Sequence, residues 1–309
     1  MNIMLIGGAG FLGINSAESL ISAGFNVVIV DRDCSRLKTL TSLAGVGGVF
    51  NCDILDVDEI LRLVTEFDIE CVINFISTLI PSSTFESFYL ELSKSVSPTF
   101  RLTQDLARRK IKYVYISSGG TVYGRNQNTY ISESEECRPI NFYGYSKLLF
   151  EEYLGLVHRM DQLDYLVIRP SNPYGPYQNP TRMQGVISVF MHKVLKDEAI
   201  DVWGDGSVVR DYIWVKDMAN ALTALLKKGV WNKSFNIGSG VGNSLIDLIK
   251  AIELVTSKKA QIIYKEARSI DAERIVLDVS KLKNEIDFYP VSLNEGVKLY
   301  YEKLIHEFI

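Results

Sequence analysis

The sequence predicts an α/β fold with a doubly wound parallel sheet and a smaller mixed α/β lobe towards the C-terminus. Short apolar runs alternate with helical stretches through the first 170 residues, a glycine-rich turn follows the first run, and the pattern loosens after Pro170. Apolar runs of this kind are typical of strands buried on both faces of a parallel sheet. Their alternation with helical stretches indicates βαβ units.

The same patterns place the elements in order. Strands are predicted at 2–6, 26–30, 71–76, 113–117, 165–170 and 234–240, and helices after the first glycine turn, at 56–67, 98–109 and 143–160, and from about Ser244. The polar segment 171–182 is predicted to be a loop. We therefore expect a dinucleotide-binding domain over 1–170, with returning segments at about 211–238, and a second lobe formed mainly by 171–309.

Composition and charge narrow the class of protein. The chain has 309 residues, 47% of them hydrophobic, and a net charge of −4, which argues against a general nucleic-acid binder. Its four cysteines form no CxxC pair and its three histidines show no ligand spacing, so we expect reduced thiols and no metal site. The N-terminus lacks the basic start of a signal peptide, and no apolar run reaches the roughly 18 residues of a membrane helix. A cytoplasmic protein outside the membrane is expected.

The segment GGAGFLG follows the first predicted strand and spaces Gly7, Gly10 and Gly13 as GxxGxxG. Such a turn lets a pyrophosphate approach the backbone at a helix N-terminus. Asp31 ends the second strand, where a carboxylate accepts hydrogen bonds from the adenosine ribose. The pattern predicts dinucleotide binding, and Asp31 favours NAD over NADP although the neighbouring Arg32 weakens that preference.

Two tyrosine–lysine pairs have the spacing YxxxK, Tyr143 with Lys147 and Tyr212 with Lys216. Residues four apart lie about 6 Å apart on a helix face, but roughly 13 Å apart on a strand. The first pair starts an amphipathic helical stretch, whereas the second lies in RDYIWVKD, which reads as extended. Tyr143 and Lys147 are therefore the predicted catalytic pair. The ammonium is expected to lower the pKa of the phenol, so that Tyr143 can take a proton from a hydroxyl.

Seven features follow one another across nearly the whole chain: GGAGFLG, Asp31, SSGGTVYG, YGYSK, RPSNPYGP, VRDYIWVKDMA and FNIGSG. Together they resemble the extended short-chain dehydrogenase/reductase family, Rossmann-fold nucleotide-sugar epimerases and dehydratases, and within it the UDP-hexose 4-epimerases. The resemblance implies that bound NAD takes a hydride from C4 of a UDP-sugar while Tyr143 removes the O4 proton. The keto sugar then turns over and receives the hydride on its other face. The resemblance also implies a homodimer through the helices near 82–108 and 143–160.

The resemblance assigns site residues to matching motifs. Cofactor contacts are implied for Gly7, Gly10, Phe11, Leu12, Gly13, Asp31, Arg32, Asp53, Ile54, Phe75, Ser77, Ser117, Tyr143, Lys147 and Pro170. Substrate contacts are implied for Ser118, Thr121, Tyr143, Asn172, Arg210, Arg268 and Asp271. A diphosphate needs fixed donors such as guanidinium groups. Two alternatives stay open, since Asp53 could cap the following helix and Arg210 could pair with Asp211 or Asp217.

The sequence departs from the family in the turn after the predicted strand 113–117. Counting back from VYG, Gly119 stands where relatives carry the catalytic Ser or Thr. We expect Thr121 to face the sugar with Ser118 supporting it, an ordered water being the alternative. Gly120 and Thr121 replace the Asp and Glu of the family's 4,6-dehydratases. Ser97 stands where relatives place an Asn beside the cofactor.

These departures bear on the competing functions. The missing Asp–Glu pair argues against a dehydratase, related decarboxylases also carry a Glu that is absent here, and Asp31 argues against an NADP-using reductase. A dinucleotide-binding regulator without activity would not need Tyr143 and Lys147, and Gly119 is the feature that favours it. The resemblance places Ile275 on the pocket wall that admits or excludes an N-acetyl group. Its side chain is intermediate in size and does not distinguish between sugars with and without that group. Glucose, N-acetylglucosamine and a uronic acid all remain open.

Overall fold

A computed structural model of the chain describes residues 1–39, 45–179, 185–266 and 272–308. Seven parallel strands form its central sheet: β1 (Asn2–Ile6), β2 (Asn26–Asp31), β3 (Val46–Asn51), β4 (Cys71–Asn74), β5 (Lys112–Ile116), β6 (Tyr165–Pro170) and β10 (Lys233–Ile237). Their spatial order is β10-β6-β5-β4-β1-β2-β3. The chain adds β2 and β3 on one side of β1, and β4, β5, β6 and β10 on the other side. The order of strand addition therefore reverses between β1 and β4, which confirms the predicted doubly wound sheet.

Helices cover both faces of this sheet: α1 (Phe11–Ser22) and α7 (Val215–Lys228) on one, α2 (Val57–Glu66), α4 (Ser97–Arg108) and α5 (Phe142–Asp161) on the other. Alternate strand residues divide between the two layers, since Leu5 packs with the α1 layer and Met4 with the α2 layer. The predicted helices at 56–67, 98–109 and 143–160 are confirmed to within two residues. Among the described residues, no helix is both long and apolar enough to cross a membrane.

The second lobe is built from two small sheets. In one, β9 (Val209–Trp214) pairs with β7 (Asn172–Tyr174), β11 (Gly242–Ser244) and β13 (Arg274–Ile275); in the other, β8 (Ile200–Trp203) pairs with β12 (Ile262–Lys265). Helices α6 (Val186–Leu195), α8 (Leu245–Thr256) and α10 (Leu293–Phe308) belong to this lobe, whereas α9 (Ser280–Glu285) packs Leu282 into the core of the first domain. Helices α6, α8 and α10 share an apolar core with β8 and β9.

Two boundaries differ from the sequence prediction. The segment 171–182 is not all loop, because β7 pairs in parallel with β9, and Pro173 is tolerated on this edge strand. The return to the first domain begins at Val215 rather than near 211, because β9 stays in the small sheet while α7 packs on α1 and β10 joins the large sheet.

A short helix, α3 (Phe85–Glu91), is joined to α4 by a π-helical turn at Leu92–Val96. The hydroxyl of Thr84 caps α3 by accepting from the Ser87 backbone N–H. A π turn contains one residue more than an α turn and rotates the side chains that follow it. This rotation bears on which residues face the cavity described below.

Candidate active site

A cavity of about 1020 Å³ runs along the carboxyl ends of the central strands. It lies at the point where the strand order reverses, which is where open α/β sheets bind ligands. Its lining comes from the β1–α1 turn at one end, the turn after β5 and the start of α5 in the middle, and Arg210 and Ile275 of the second lobe. The volume stands at the upper end of the range for ligand pockets, about 300–1,000 Å³.

The glycine turn forms a cradle at one end of the cavity. Gly7 has a φ of +75°, and a Cβ there would lie 3.2 Å from the Ile76 backbone nitrogen. A Cβ on Gly13 would lie 2.6 Å from the Gly8 Cα, so only glycine allows α1 to pack this close. Gly10 begins α1 without a side-chain cap. The N–H groups of the first helical turn are thus left for an anion.

Carboxylates beyond β2 and β3 border the same end. Asp31 accepts from the backbone N–H of Ala9 at 3.0 Å through one oxygen and from that of Asp33 at 3.2 Å through the other. Each carboxylate oxygen keeps a second lone pair for a ribose hydroxyl. Asp53 accepts from the backbone N–H of Leu55 at 3.0 Å, whereas Asp56 caps α2. The capping alternative for Asp53 is therefore wrong.

The residues at this end of the cavity fit a dinucleotide. Side chains at the glycine positions would fill the cradle, and the cradle lies at the N-terminus of α1, where a pyrophosphate can bind. The predicted cofactor residues that line the cavity are Gly7, Gly10, Phe11, Leu12, Gly13, Asp31, Arg32, Asp53, Ile54, Phe75, Ser77 and Tyr143. Three others lie behind the wall. The Ser117 hydroxyl donates to Glu151, the Lys147 ammonium to the Ile116 carbonyl, and the Pro170 carbonyl accepts from the Gly119 N–H.

The start of α5 places the predicted catalytic pair. Asn141 caps the helix, accepting from the Gly144 N–H at 2.8 Å. Tyr143 then falls in the first turn and Lys147 one turn later. A Cβ on Gly144 would lie 2.8 Å from the Thr121 carbonyl oxygen, so glycine brings α5 against the turn after β5. By contrast, Tyr212 lies in β9 and Lys216 in α7, where Lys216 pairs with Glu18.

The pKa of Tyr143 differs from the expected one, because it is raised and not lowered. The Lys147 Nζ atom lies 5.7 Å from the centroid of the Tyr143 ring. Burial lowers the pKa of Lys147 to about 8. Burial also raises the pKa of Tyr143, which the hydrogen bond from Ser118 opposes and Glu91 reinforces. The predicted fall in the Tyr143 pKa is therefore not produced by the protein alone, because desolvation of the phenolate outweighs its other interactions.

The turn after β5 determines which hydroxyl group lies in the cavity together with Tyr143. Ser118 and Tyr143 both line the cavity, and Ser118 lowers the pKa of the Tyr143 phenol, opposing the effect of burial. A Cβ on Gly119 would instead lie 2.6 Å from Leu277 Cδ1 and 2.9 Å from the Arg169 carbonyl oxygen. Position 119 therefore faces the protein interior, although counting back from VYG matches it to the position of the family's catalytic Ser or Thr. Thr121 also lines the cavity, and its buried Oγ1 has no hydrogen-bond partner among the described residues.

The second lobe closes the other end. Asn172 and Arg210 line the cavity, Asn172 donating to the Asp211 carbonyl and Arg210 to the Val209 carbonyl. The Asp211 carboxylate is buried and accepts from the backbone N–H groups of Ser239, Gly240 and Leu277. Ile275 lines the cavity as well. The predicted substrate residues Arg268 and Asp271 lie outside the described residues.

Glu91 and Ser95 are among the polar residues of the cavity that the sequence analysis does not select. Glu91 is only 6% exposed, lines the cavity and accepts a hydrogen bond from the Thr78 hydroxyl. Ser95 also lines it, whereas Ser97, which was expected beside the cofactor, is exposed and does not. The π turn at Leu92–Val96 moves the cavity-facing position from 97 to 95. The only signal for Glu91 is its position three residues after the buried Phe88, which is also an ordinary amphipathic pattern.

A glycine cradle on a Rossmann sheet, with Tyr143 in the same cavity and Lys147 one helical turn behind it, defines an NAD-linked enzyme of the dehydrogenase/reductase class. A family model described as the NAD dependent epimerase/dehydratase family matches residues 3–238, and the chain belongs to this family. Its cofactor is NAD.

Relatives match along almost the whole chain. A putative UDP-glucose 4-epimerase of Methanocaldococcus jannaschii is 32% identical, over 96% of each chain. A dTDP-4-dehydro-6-deoxyglucose reductase of Escherichia coli is 29% identical, over 96% of this chain and 95% of that one. Among solved structures, a Thermotoga maritima UDP-glucose 4-epimerase with UDP-glucose has a TM-score of 0.92, 30% identity and full coverage of both chains. A Thermus thermophilus UDP-glucose 4-epimerase with NAD has a TM-score of 0.88 and 27% identity, over 98% of each chain.

Proposed function

We propose that this protein epimerises a UDP-hexose at C4 by transient oxidation to a 4-keto sugar, with Tyr143 as the base. The observation that carries the proposal is that Ser118 and Tyr143 line a cavity that extends from the glycine cradle to Arg210, with the Lys147 Nζ atom 5.7 Å from the centroid of the Tyr143 ring. The similarity to UDP-glucose 4-epimerases over the full chain supports it.

Each side chain has a defined task in this proposal. Bound NAD supplies the hydride acceptor. The phenol oxygen of Tyr143 takes the proton of the sugar hydroxyl, and the Ser118 hydroxyl orients that oxygen. The charge of Lys147 stabilises the phenolate, and Arg210 with Asn172 holds the diphosphate. Because the hydride and the proton both return to the sugar, no second substrate is needed.

A reductase of keto sugars is the second candidate, and the Escherichia coli relative favours it. A reductase exchanges its oxidised cofactor for reduced cofactor at every turnover, whereas an epimerase regenerates NAD in place. Gly120 and Thr121 provide neither carboxylic acid nor carboxylate, which argues against dehydration. The cofactor content of the purified protein and its consumption of added NADH separate the two candidates.

The test is incubation of the purified protein, without added cofactor, with UDP-glucose, UDP-N-acetylglucosamine or UDP-glucuronate. Proton NMR of the anomeric signals follows the products. We expect one sugar to reach the same mixture of 4-epimers from both sides, and the Tyr143→Phe variant to lose at least about 100-fold in rate. Bound NAD together with nucleotide-sugar binding, but no epimer of any of the three, would refute the proposal.

We also propose a homodimer located in the cytoplasm. The four cysteines, Cys34, Cys52, Cys71 and Cys137, are free thiols, which suits a reducing compartment.

A further inference from the structure

A short segment after β7 is tied to the dinucleotide-binding side of the first domain. We call residues 176–179 the strap, and three of them line the same cavity as the glycine cradle: Tyr177, Gln178 and Asn179. The Asn15 side chain of α1 donates to the Phe11 carbonyl at 2.8 Å and to the Pro176 carbonyl at 3.0 Å. Phe11 is the first residue of α1 and also lines the cavity. The strap is therefore anchored beside the cradle.

A second anchor of the strap comes from the turn after β2. Arg36 lies in the short 3₁₀ helix at Ser35–Thr39, and its guanidinium donates to the Tyr177 carbonyl at 3.1 Å. Arg36 lines the cavity, as does Asp31 at the end of β2. The strap thus contacts both elements that border the dinucleotide end of the cavity, α1 and the turn after β2. A ligand that extends from the cradle to Asp31 lies in the space that these contacts bound.

The Tyr177 side chain fastens the strap to two helices of the first domain. Its hydroxyl donates to Glu18 of α1 at 2.7 Å. The Lys216 ammonium of α7 pairs with the same carboxylate and lies 5.9 Å from the centroid of the Tyr177 ring. The Glu18 side chain is only 13% exposed, so removal of its cation would leave an enclosed charge uncompensated. Lys216, the lysine of the second YxxxK pair, therefore has a contact outside the catalytic centre.

The backbone of Tyr177 depends on these contacts. Its φ of +67° lies in the left-handed region, which is unfavourable for a bulky side chain. Such a conformation persists only where the surrounding structure fixes it. The groups that fix it here, Asn15, Arg36 and Glu18, all belong to the first domain. Loss of one of them should let the strap move away from α1.

We propose that the strap closes the dinucleotide site, and that Tyr177, fastened to Glu18 and Lys216, allows the cofactor to leave only after these contacts break. Glu18 and Lys216 act through the strap and are positioning residues. The inference goes beyond the proposed epimerisation, since it concerns cofactor release and does not depend on which sugar is converted. Slow release suits a reaction that returns the hydride to the sugar, whereas a reductase would have to open the strap at every turnover.

The experiment measures cofactor release and needs no sugar. The full-length protein is loaded with NADH and mixed with a large excess of NAD, and the change in fluorescence of bound NADH gives the release rate. In Tyr177→Phe, which loses the hydrogen bond to the carboxylate, we expect release to be about 10- to 100-fold faster, the size of one hydrogen bond to a charged group. Lys216→Met, which leaves Glu18 without its cation, should change the rate in the same direction.

Two variants serve as controls. The Tyr153 hydroxyl donates to the Phe100 carbonyl at 2.8 Å, within the first domain and away from the strap. Tyr153→Phe therefore removes a tyrosine hydrogen bond of similar length and should leave the release rate unchanged. Lys216→Arg keeps the positive charge beside Glu18 and should release the cofactor more slowly than Lys216→Met does.

Unchanged release rates in folded Tyr177→Phe and Lys216→Met would overturn the inference and leave the strap as a structural connection between the lobes. If either variant fails to fold, as judged by circular dichroism, the other decides. Equal acceleration in Tyr153→Phe would also overturn it, because a general loss of stability would then explain the effect. Since no sugar enters the measurement, a protein that epimerises none of the three sugars would refute the proposed function and leave this result unaffected.

Discussion

The turn after β5 shows how one backbone position selects the hydroxyl that serves Tyr143. The Ser117 and Ser118 side chains point to opposite sides, as consecutive residues at a strand end do. Ser117 therefore meets the buried Glu151, and Ser118 meets Tyr143. The next residue, Gly119, has its missing side chain directed at Leu277. A hydroxyl at position 119 would lie inside the protein rather than at the sugar.

Gly119→Ser should therefore destabilise the protein without improving activity. The new Cβ would stand 2.6 Å from Leu277 Cδ1, which can move, and 2.9 Å from the Arg169 carbonyl oxygen, which cannot move without the strand. We expect a loss of about 1–3 kcal/mol in the free energy of unfolding, measured by thermal and denaturant unfolding. A faster enzyme of unchanged stability would show that position 119 reaches the substrate after all.

Removing each of the two cavity hydroxyls should have different effects. Ser118→Ala takes away the hydroxyl that lowers the pKa of Tyr143, so we expect kcat to fall about 10- to 100-fold and the acidic limb of the pH–rate profile to move to higher pH. Thr121→Val replaces a hydroxyl that has no partner among the described residues, and should act mainly on KM. Steady-state kinetics over a range of pH measures both. The opposite pattern would make Thr121 the partner of Tyr143.

Lys147 should set the alkaline limit of activity. Because burial lowers its pKa to about 8 from 10.5, the ammonium is present below this pH and lost above it. We expect kcat to decline as the pH rises through about 8, with loss of the charge that stabilises the phenolate. Lys147→Arg, whose guanidinium stays charged, should remove this decline even where its kcat is lower. An identical decline in both proteins would assign the limb to another group.

At the scale of elements, the sequence predicts those strands and helices whose apolar residues recur with a clear local periodicity. The strands and helices that carry the cradle and the Tyr143–Lys147 pair have strong apolar patterns, and most of their boundaries are confirmed to within two residues. By contrast, the sequence predicts no boundaries for β3, because VGGVFN contains two glycines and half of its residues are exposed at the edge of the sheet. The short strand β7 forms because it pairs with β9. This pairing is non-local, so no local sequence pattern predicts it.

The positions missed at the site depend on backbone geometry that counting residues cannot supply. Matching SVSPT by spacing selects Ser97, but the π turn presents Ser95 instead. Counting back from VYG selects Gly119, but the turn presents Ser118. Glu91 belongs to no motif, and its place in the cavity depends on the non-local packing of α3 against α5. Sequence motifs therefore predict where the site lies, whereas the backbone geometry of the turns determines which side chains face the cavity.

The packing of α1 on β1 gives a test at the same scale. A Cβ on Gly13 would lie 2.6 Å from the Cα and carbonyl oxygen of Gly8, which are backbone atoms. Gly13→Ala should therefore push α1 off the cradle, lower the bound NAD measured in the purified protein, and cost about 1–3 kcal/mol of stability. In α5, Gly155 meets nothing closer than 3.5 Å, so Gly155→Ala should keep NAD and gain up to about 1 kcal/mol. Equal NAD contents in the two variants would contradict the cradle's role.

At the scale of the whole molecule, an exposed apolar stripe on α5 supports the proposed homodimer. Tyr145, Leu156 and Met160 are 51%, 44% and 68% exposed and fall on one face of the helix, with Leu149 between them half-buried. On the neighbouring α3, Phe85 and Tyr89 are exposed as well. Contiguous exposed apolar surface on this scale marks an interaction site. Two copies related by a two-fold axis would cover it with the same stripe.

The double variant Leu156→Glu/Met160→Glu should consequently convert a dimer into a monomer. Two carboxylates per copy would face each other across the axis, and burying them unpaired costs several kcal/mol. Size-exclusion chromatography with light scattering gives the mass, and circular dichroism verifies that the fold is kept. Leu254→Glu, at a site 74% exposed on α8 of the second lobe, is the matched control and should remain dimeric. A monomeric unmodified protein, or a double variant that stays dimeric, would move the interface away from α5.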